Sequence, residues 1–453
     1  MAETRVDIAI ACTLFALMAP ACRGGSSGDG GQGPLRDAAA DTEGGDGAAS
    51  SKAPPSEPAP EPLEEETIAQ GMAKVGDAVV REEPASDGRP IGVLRWGARF
   101  EVSDSRGSGE SSWVRMKGVG WIKGTDVITR RKGPPKLGFV PVPPELGEAM
   151  PYRYARVTEK KGVPVYRRPP RRGEDPQRVF LRSFKEGYFF TVDRWVNIYD
   201  RQMYRTTRYW FVPRAGTTTV SGPTFEGVEV TEETELPFIW VTDPTALLCP
   251  ETRHPEPDAG VGNCQRAERH ERLPFVERRE SGGVWYRTRG GRWIASTQVA
   301  LVDRIDRRPS IVSAGERWIH VDLRNQVAAL YEGDRMIFVT LVSSGDDDHV
   351  TPAGTYRVES KHVTTTMDNE DNLSGPYFIQ DVPWVMYFRG SYGLHGAFWH
   401  DRFGLRTSHG CVNLSPRDAR RFFEFAAAPA LPEGWHAVYT PPTEQGTVIH
   451  ITE

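Results

Sequence analysis

The chain has 453 residues, a formal net charge of −5 and 26% charged side chains, which leaves room for about three domains at roughly 150 residues each. Its charge balance provides no global basic field, which excludes nucleic acid as an expected partner. With 46 Gly, 36 Pro, 12 Trp and 14 Tyr the chain is turn-rich and aromatic, suited to several small β-domains and not to a helical bundle.

Residues Ile8 to Ala21 form an apolar run too short to span a bilayer, and small residues lead from it to Cys22. That outline is an export signal over residues 1–22. Ala19-Pro20-Ala21-Cys22 resembles a bacterial lipobox, whose cysteine takes the lipid, although Ala19 and Pro20 depart from the usual pattern. The reading places the chain on the periplasmic face, anchored to a membrane through Cys22; a plain signal peptide is the alternative. Residues 23–66 hold almost no large apolar side chain, so they cannot bury enough surface to offset their ordering entropy and read as a tether. Of the five cysteines, Cys12 leaves with the signal and Cys22 is lipidated. In an oxidising compartment Cys249 and Cys264 are expected to close a short disulfide loop, leaving Cys411 as the odd free thiol and a candidate nucleophile.

Folded sequence is expected from about Gly76, and an internal repeat follows. Trp113–Val127 aligns without gaps to Trp285–Val299, with seven of fifteen positions identical, including both tryptophans, Gly118 with Gly290 and Ile122 with Ile294. Each copy reads as strand, glycine turn and strand, and resembles the last hairpin of bacterial SH3-like domains. Modules are expected at 76–130 and 230–304, with a third of the same kind at 150–222, where GYFFTVDRWV and YWFVPRA supply aromatic strands. Their tryptophans read first as core and only secondarily as a surface for wall polymer.

The last 140 residues differ in character. RWIHVDLRNQVAALYEGDRMIFVTLVSSG alternates like two antiparallel strands with a turn at Glu332-Gly333-Asp334, and Thr351-Pro-Ala-Gly-Thr-Tyr-Arg-Val358 reads as a loop feeding a strand. His395-Gly396 and Ser408-His409-Gly410-Cys411-Val412-Asn413 follow, and a helix opens at Ser415-Pro416 with Ser as N-cap and Pro at the first helical position. A thiol attacks as thiolate, so Cys411 needs a base, and His395 is the right type. A carbonyl on a rigid turn at Gly396 is expected to hold one imidazole nitrogen and leave the other facing sulfur. Glycine beside the nucleophile lets a carbonyl substrate approach, and amides at His409, Gly410 and Cys411 are the candidate oxyanion donors. If residues 409–411 are extended, His409 shares a face with Cys411 and is the rival base.

His-Gly, twelve intervening residues and SHGCVN resemble the signature of the L,D-transpeptidase catalytic domain, and TPAGTYRV resembles that family's Thr-Pro-x-Gly-aromatic segment. The resemblance covers roughly 315–440. It implies a mostly β chain, with a sandwich-type catalytic domain preceded by SH3-like β-barrel modules. It implies a ping-pong acyl transfer on peptidoglycan stem peptides: Cys411 forms a thioester, His395 is the base and the Gly396 carbonyl orients it. Ser408, His409, Gly410 and Asn413 shape the site and oxyanion hole, and Tyr392 lies where the family has pocket aromatics. No cofactor is implied, the acceptor is a wall or protein amine, and a carbapenem is the expected covalent inhibitor.

Two other readings compete: a stem-hydrolysing L,D-carboxypeptidase and a non-catalytic wall-binding lipoprotein. A zinc site assembled from His395, His400, His409 and Cys411 is a further rival, which a chelator would expose. The sortase-type motif is absent from the sequence. Gly345-Asp-Asp-Asp-His349 reads as a solvated loop, and His320, His362 and His436 have no motif context.

Overall fold

The computed structural model describes residues 65–252, 262–369 and 376–453; the signal, the lipobox at Cys22 and all but the last two residues of the tether lie outside them. Short strands joined by polar turns build three upstream modules in succession. The first holds β1 (Ala69–Ala73), β2 (Ala78–Arg81), β3 (Pro90–Leu94), β4 (Arg99–Arg106), β5 (Trp113–Met116), β6 (Gly120–Lys123) and β7 (Val127–Arg130). Glu65, ahead of Gly76, already belongs to the module: its carboxylate accepts from Arg115 Nε at 2.8 Å, Ser103 Oγ at 2.6 Å and Gly118 N at 3.0 Å. The composition of the preceding tether hid this anchoring glutamate.

The middle module holds β8 (Arg153–Val157), β9 (Val163–Tyr166), β10 (Phe180–Phe184), β11 (Phe189–Val192), β12 (Arg194–Ile198), β13 (Arg201–Arg205), β14 (Phe211–Pro213) and β15 (Thr217–Val220). A two-residue strand, β16 (Val228–Glu229), leads to the third module. That module has β17 (Phe238–Val241), β18 (Leu247–Leu248), β19 (Gln265–Arg266), β20 (Arg272–Glu280), β21 (Val284–Thr288), β22 (Trp293–Ala295) and β23 (Val299–Val302).

All three modules share one pairing scheme. The opening strand pairs with both the fourth and the closing one: β1 with β4 and β7, β8 with β11 and β15, β17 with β20 and β23. Next comes a meander: β4, β5 and β6, then β12, β13 and β14, then β20, β21 and β22. In the two copies that align in sequence, a 3-10 turn follows the meander, at Gly124–Asp126 and Ser296–Gln298. Trp121 and Trp293 are buried in those copies, each under a guanidinium, Arg106 at 4.4 Å and Arg279 at 4.3 Å from the ring centroid. The repeated tryptophans are therefore core residues, their faces capped by cation–π contacts.

In the third module Cys249 and Cys264 are joined, S–S 2.08 Å, stapling the turn between β18 and β19. A bridge across 15 residues restricts the unfolded chain by about 3 kcal/mol. The Cys249→Ser/Cys264→Ser double variant is accordingly expected to unfold at clearly lower denaturant; an unchanged midpoint in urea would refute this.

The terminal domain begins with β24 (Arg317–Asp322), β25 (Val327–Glu332), β26 (Arg335–Leu341) and β27 (Gly354–Arg357). Three strands occupy the stretch expected to hold two. Asp322 accepts the Asn325 backbone N–H at 2.9 Å and its amide at 2.7 Å, and Gln326 takes φ +55, so a tight turn interrupts the run. Periodicity does not show this turn, because β25 is buried on both faces. The two-residue turn at Gly333-Asp334 stands as expected, with Gly333 at φ +58. Next come β28 (Ser360–Asp368), β29 (Phe378–Arg389), β30 (Tyr392–Gly396), β31 (Val412–Leu414), helix α1 (Pro416–Phe425), β32 (Trp435–Tyr439) and β33 (Val448–Thr452).

One sheet runs β16-β26-β25-β24-β33-β27, and a second runs through β32, β28, β29, β30 and β31. Their inner faces enclose Ile319, Leu330, Phe338, Met386, Leu394 and Leu414 together with Phe422 of α1. The domain extends past residue 440, since β33 lies between β24 and β27. Each module joins it by strand pairing or shared core: β3 on β32, β11 on β29, and Trp240 of the third module in one cluster with Trp318 and Phe403.

Candidate active site

Cys411 ends the loop between β30 and β31. Gly410 turns the backbone there at φ +109, and a Cβ on it would lie 2.7 Å from Tyr392 Cε1, so only glycine fits. Ser408 fastens the turn: its hydroxyl donates to the Cys411 carbonyl at 2.5 Å and accepts from Gly410 N at 3.1 Å. Thr351, the first residue of the TPAG segment, donates to the Gly410 carbonyl at 2.8 Å and accepts from Gly345 N at 2.9 Å. The two separated motifs are thus one hydrogen-bonded unit.

β30 and β31 run parallel, with Leu394 opposite Val412 and His395 opposite Asn413, which places Cys411 beside the Gly393 end of β30. The thiol is 3.5 Å from the Ser391 carbonyl, to which it donates, and receives the Gly393 N–H. Burial pushes the thiol up from its ordinary value, opposed by that N–H. Burial raises the Tyr377 and Tyr387 phenols, with a smaller contribution from Cys411.

His395 is 2% exposed and lies next to Trp399, ring centroids 5.8 Å apart. Its Nδ1 is 3.5 Å from the Gly396 carbonyl, which leaves Nε2 as the basic nitrogen. Burial pushes this imidazole down to about 4, opposed by the Gly396 contact. Gly396 is the last residue of β30 and not part of a turn; a Cβ there would press on Pro383 and Pro416 at 3.0 and 3.1 Å.

His409 sits apart from the sequence expectation. The left-handed Gly410 breaks the extended run, so the shared face with Cys411 does not form. His409 is exposed and packs on His349 and Tyr377, centroids 4.6 and 5.6 Å away. Asn413 turns from the sulfur: its backbone exchanges hydrogen bonds with Ser343 at 2.9 Å, and its amide meets His400 Nε2 at 2.9 Å. His400 Nδ1 accepts from Arg402 N at 3.1 Å, so the neutral ring carries its proton on Nε2 and Asn413 presents its oxygen. With both nitrogens engaged, His400 has no lone pair for a metal, and the zinc set of His395, His400, His409 and Cys411 does not converge. Among the described residues no cluster of three or more His, Cys, Asp or Glu has metal-binding geometry.

Sequence reasoning missed Thr351's hold on the catalytic turn, the Ser391 and Gly393 contacts to sulfur, and Tyr377, Tyr387 and His349. Tyr377 and Tyr387 arrive from β29 and its approach, a strand carrying no motif. His349 belongs to the acidic run read as a solvated loop; it pairs with Asp346 at 2.9 Å, which lowers that carboxyl, while its ring borders His409.

Residues 316–451 match the family model of the L,D-transpeptidase catalytic domain (YkuD). YciB of Bacillus subtilis strain 168, named as an L,D-transpeptidase, is 30% identical over 126 residues; the match covers 24% of this chain and 59% of YciB. The catalytic domain of an Enterococcus faecium L,D-transpeptidase is 25% identical, covering 30% of this chain and 98% of that one, with a TM-score of 0.24. An L,D-transpeptidase from Mycobacterium smegmatis is 19% identical, covering 50% of this chain and 88% of that one, with a TM-score of 0.25. The family match stops short of the three upstream modules. Residues 316–451 of this chain, which carry the Cys411 turn and the buried His395, are a domain of the L,D-transpeptidase catalytic family.

Proposed function

We propose that the chain is a peptidoglycan L,D-transpeptidase in which Cys411 is the nucleophile and His395 the base. The observation that carries this reading is a free thiol held on a fixed turn beside the strand of a buried, neutral imidazole whose second nitrogen faces a carbonyl. Cys411 attacks the carbonyl of the third stem residue, a diaminopimelate. A sulfur–carbon bond forms, the amide carbon–nitrogen bond breaks, and the thiol proton passes through His395 to the departing D-Ala amine. An acceptor amine then attacks the thioester and His395 returns a proton to sulfur. Gly410 N–H is committed to Ser408, so the His409 and Cys411 amides are the candidate main-chain donors left at the turn for the oxyanion. The Gly393 N–H on sulfur stabilises the thiolate, both as attacker and as leaving group. The chemistry requires no cofactor.

Export, lipid attachment at Cys22 and SH3-like modules that address the wall complete the proposal. The shared pairing scheme of the three modules and the Cys249–Cys264 bridge support them, the bridge because it suits an oxidising compartment.

The test is incubation of the protein with disaccharide-tetrapeptide muropeptides and mass spectrometry of the products. Loss of D-Ala with appearance of crosslinked dimers is the expected result. Tripeptide monomer alone would assign water as acceptor and make the protein an L,D-carboxypeptidase; no turnover, or turnover that a chelator abolishes, would overturn the thiol mechanism.

A further inference from the structure

The chain that brings Tyr377 to His409 is held along its next four residues by the middle module. Phe378 lies inside that module's core, against Phe184 at 5.2 Å and Tyr188 at 5.7 Å, with the Arg182 guanidinium 5.1 Å above it. Ile379 pairs with Phe189 of β11. Gln380, fully buried, accepts from Thr191 N at 3.3 Å and donates to Thr207 Oγ1 at 3.3 Å. Asp381 accepts from Thr191 Oγ1 at 2.8 Å and Thr207 Oγ1 at 3.0 Å, while its carbonyl receives the Tyr154 hydroxyl at 2.7 Å.

The backbone of the held strand is bent. Asp381 and Trp384 take φ +53 and +58, a conformation non-glycine residues adopt only when their surroundings impose it. Both bends are tied from outside the terminal domain: Asp381 by Thr191, Thr207 and Tyr154, and Trp384 by its indole N–H on the Ala149 carbonyl at 2.6 Å. Immediately before the held residues, Tyr377 packs on His409 of the Cys411 turn, ring centroids 5.6 Å apart.

We propose that the middle module is a clamp of the catalytic site, with Asp381 as the positioning residue through which Thr191 and Thr207 hold Tyr377 against His409, two residues before Cys411. The module is then part of the acyl-transfer apparatus and not only an appendage for targeting. This inference rests on the proposed transpeptidase reading for its turnover measurement, but not for its thiol measurement.

The test uses the full chain with Thr191→Val/Thr207→Val, two substitutions confined to the middle module that strip both hydroxyl donors from the buried carboxylate. Release of Tyr377 frees His409 and loosens the turn that carries the Cys411 sulfur. Iodoacetamide alkylation of Cys411 is therefore expected to become faster, while kcat/KM on muropeptides falls by about 100-fold, the scale of a small displacement at a reacting centre, mostly through KM. A folded double variant with wild-type alkylation rate and KM would overturn the clamp. Where the double variant does not fold, Thr207→Val alone decides by the same two readouts. Faster alkylation in a protein whose wild type shows no turnover would keep the clamp and sink the transpeptidase reading.

Discussion

Cys411→Ala is expected to eliminate tetrapeptide turnover and thioester formation, a loss of at least roughly 10⁴-fold in kcat/KM, with the fold intact. In the proposed reaction the sulfur is the atom that takes the acyl group, and among the described residues Cys411 is the free cysteine, Cys249 and Cys264 being bonded to each other. The substitution removes a half-buried side chain whose contacts are a 3.5 Å thiol–carbonyl interaction and one N–H, so little packing is lost. The turn itself is held by Ser408, Thr351 and Gly410, none of which depends on sulfur. Intact-mass spectrometry after incubation with a carbapenem or a tetrapeptide checks the outcome. An acyl adduct on the alanine variant would relocate the nucleophile.

The pH dependence of Cys411 reactivity is expected to be steep through neutrality. Burial raises the thiol and lowers His395 to about 4, so at pH 7 both partners are neutral and the thiol proton is donated to Ser391. The sign follows from which form reacts. Below the thiol's raised value the thiolate fraction grows about tenfold per pH unit, so iodoacetamide alkylation should rise about 100-fold between about pH 6 and pH 8. His395 has lost its proton well below that window and contributes no inflection within it. The opposite arrangement, a preformed thiolate–imidazolium pair, would give a rate nearly flat from about pH 5 to pH 8, and that result would refute the neutral pair. In the neutral pair, proton transfer to His395 belongs to the attack itself, driven as substrate displaces the Ser391 contact.

The catalytic turn was legible because its requirements are local. Gly410 must be glycine for its φ and for Tyr392, and Ser415-Pro416 caps α1 by the expected rule, Ser415 accepting from Asp418 N at 3.2 Å. The repeat was legible because each copy carries its own hairpin and its own buried tryptophan, Trp121 and Trp293. The middle copy, almost silent in sequence, shares the pairing scheme, since strand order depends on alternation and turn position more than on particular side chains.

Other features required the assembled molecule. Thr351 is 60 residues from Cys411 yet bonds its turn, and the threonine of a TPAG loop looks the same whether it meets solvent or a catalytic carbonyl. His409 was a plausible base until the φ of one glycine turned it outward. Asp381 lies in a strand without a motif, and its partners Thr191 and Thr207 belong to another module; hydrogen bonds between segments so far apart leave no period to read. The sequence by itself determined the candidate nucleophile, the candidate base, the glycine turn that carries Cys411 and the β character of the chain, because these rest on residue chemistry and short-range backbone geometry. Only the tertiary structure decided which groups touch the sulfur, that the thiol is half-buried and the imidazole buried, and that three modules pack on one domain, because burial and long-range contact are properties of the packed chain and not of any segment of it.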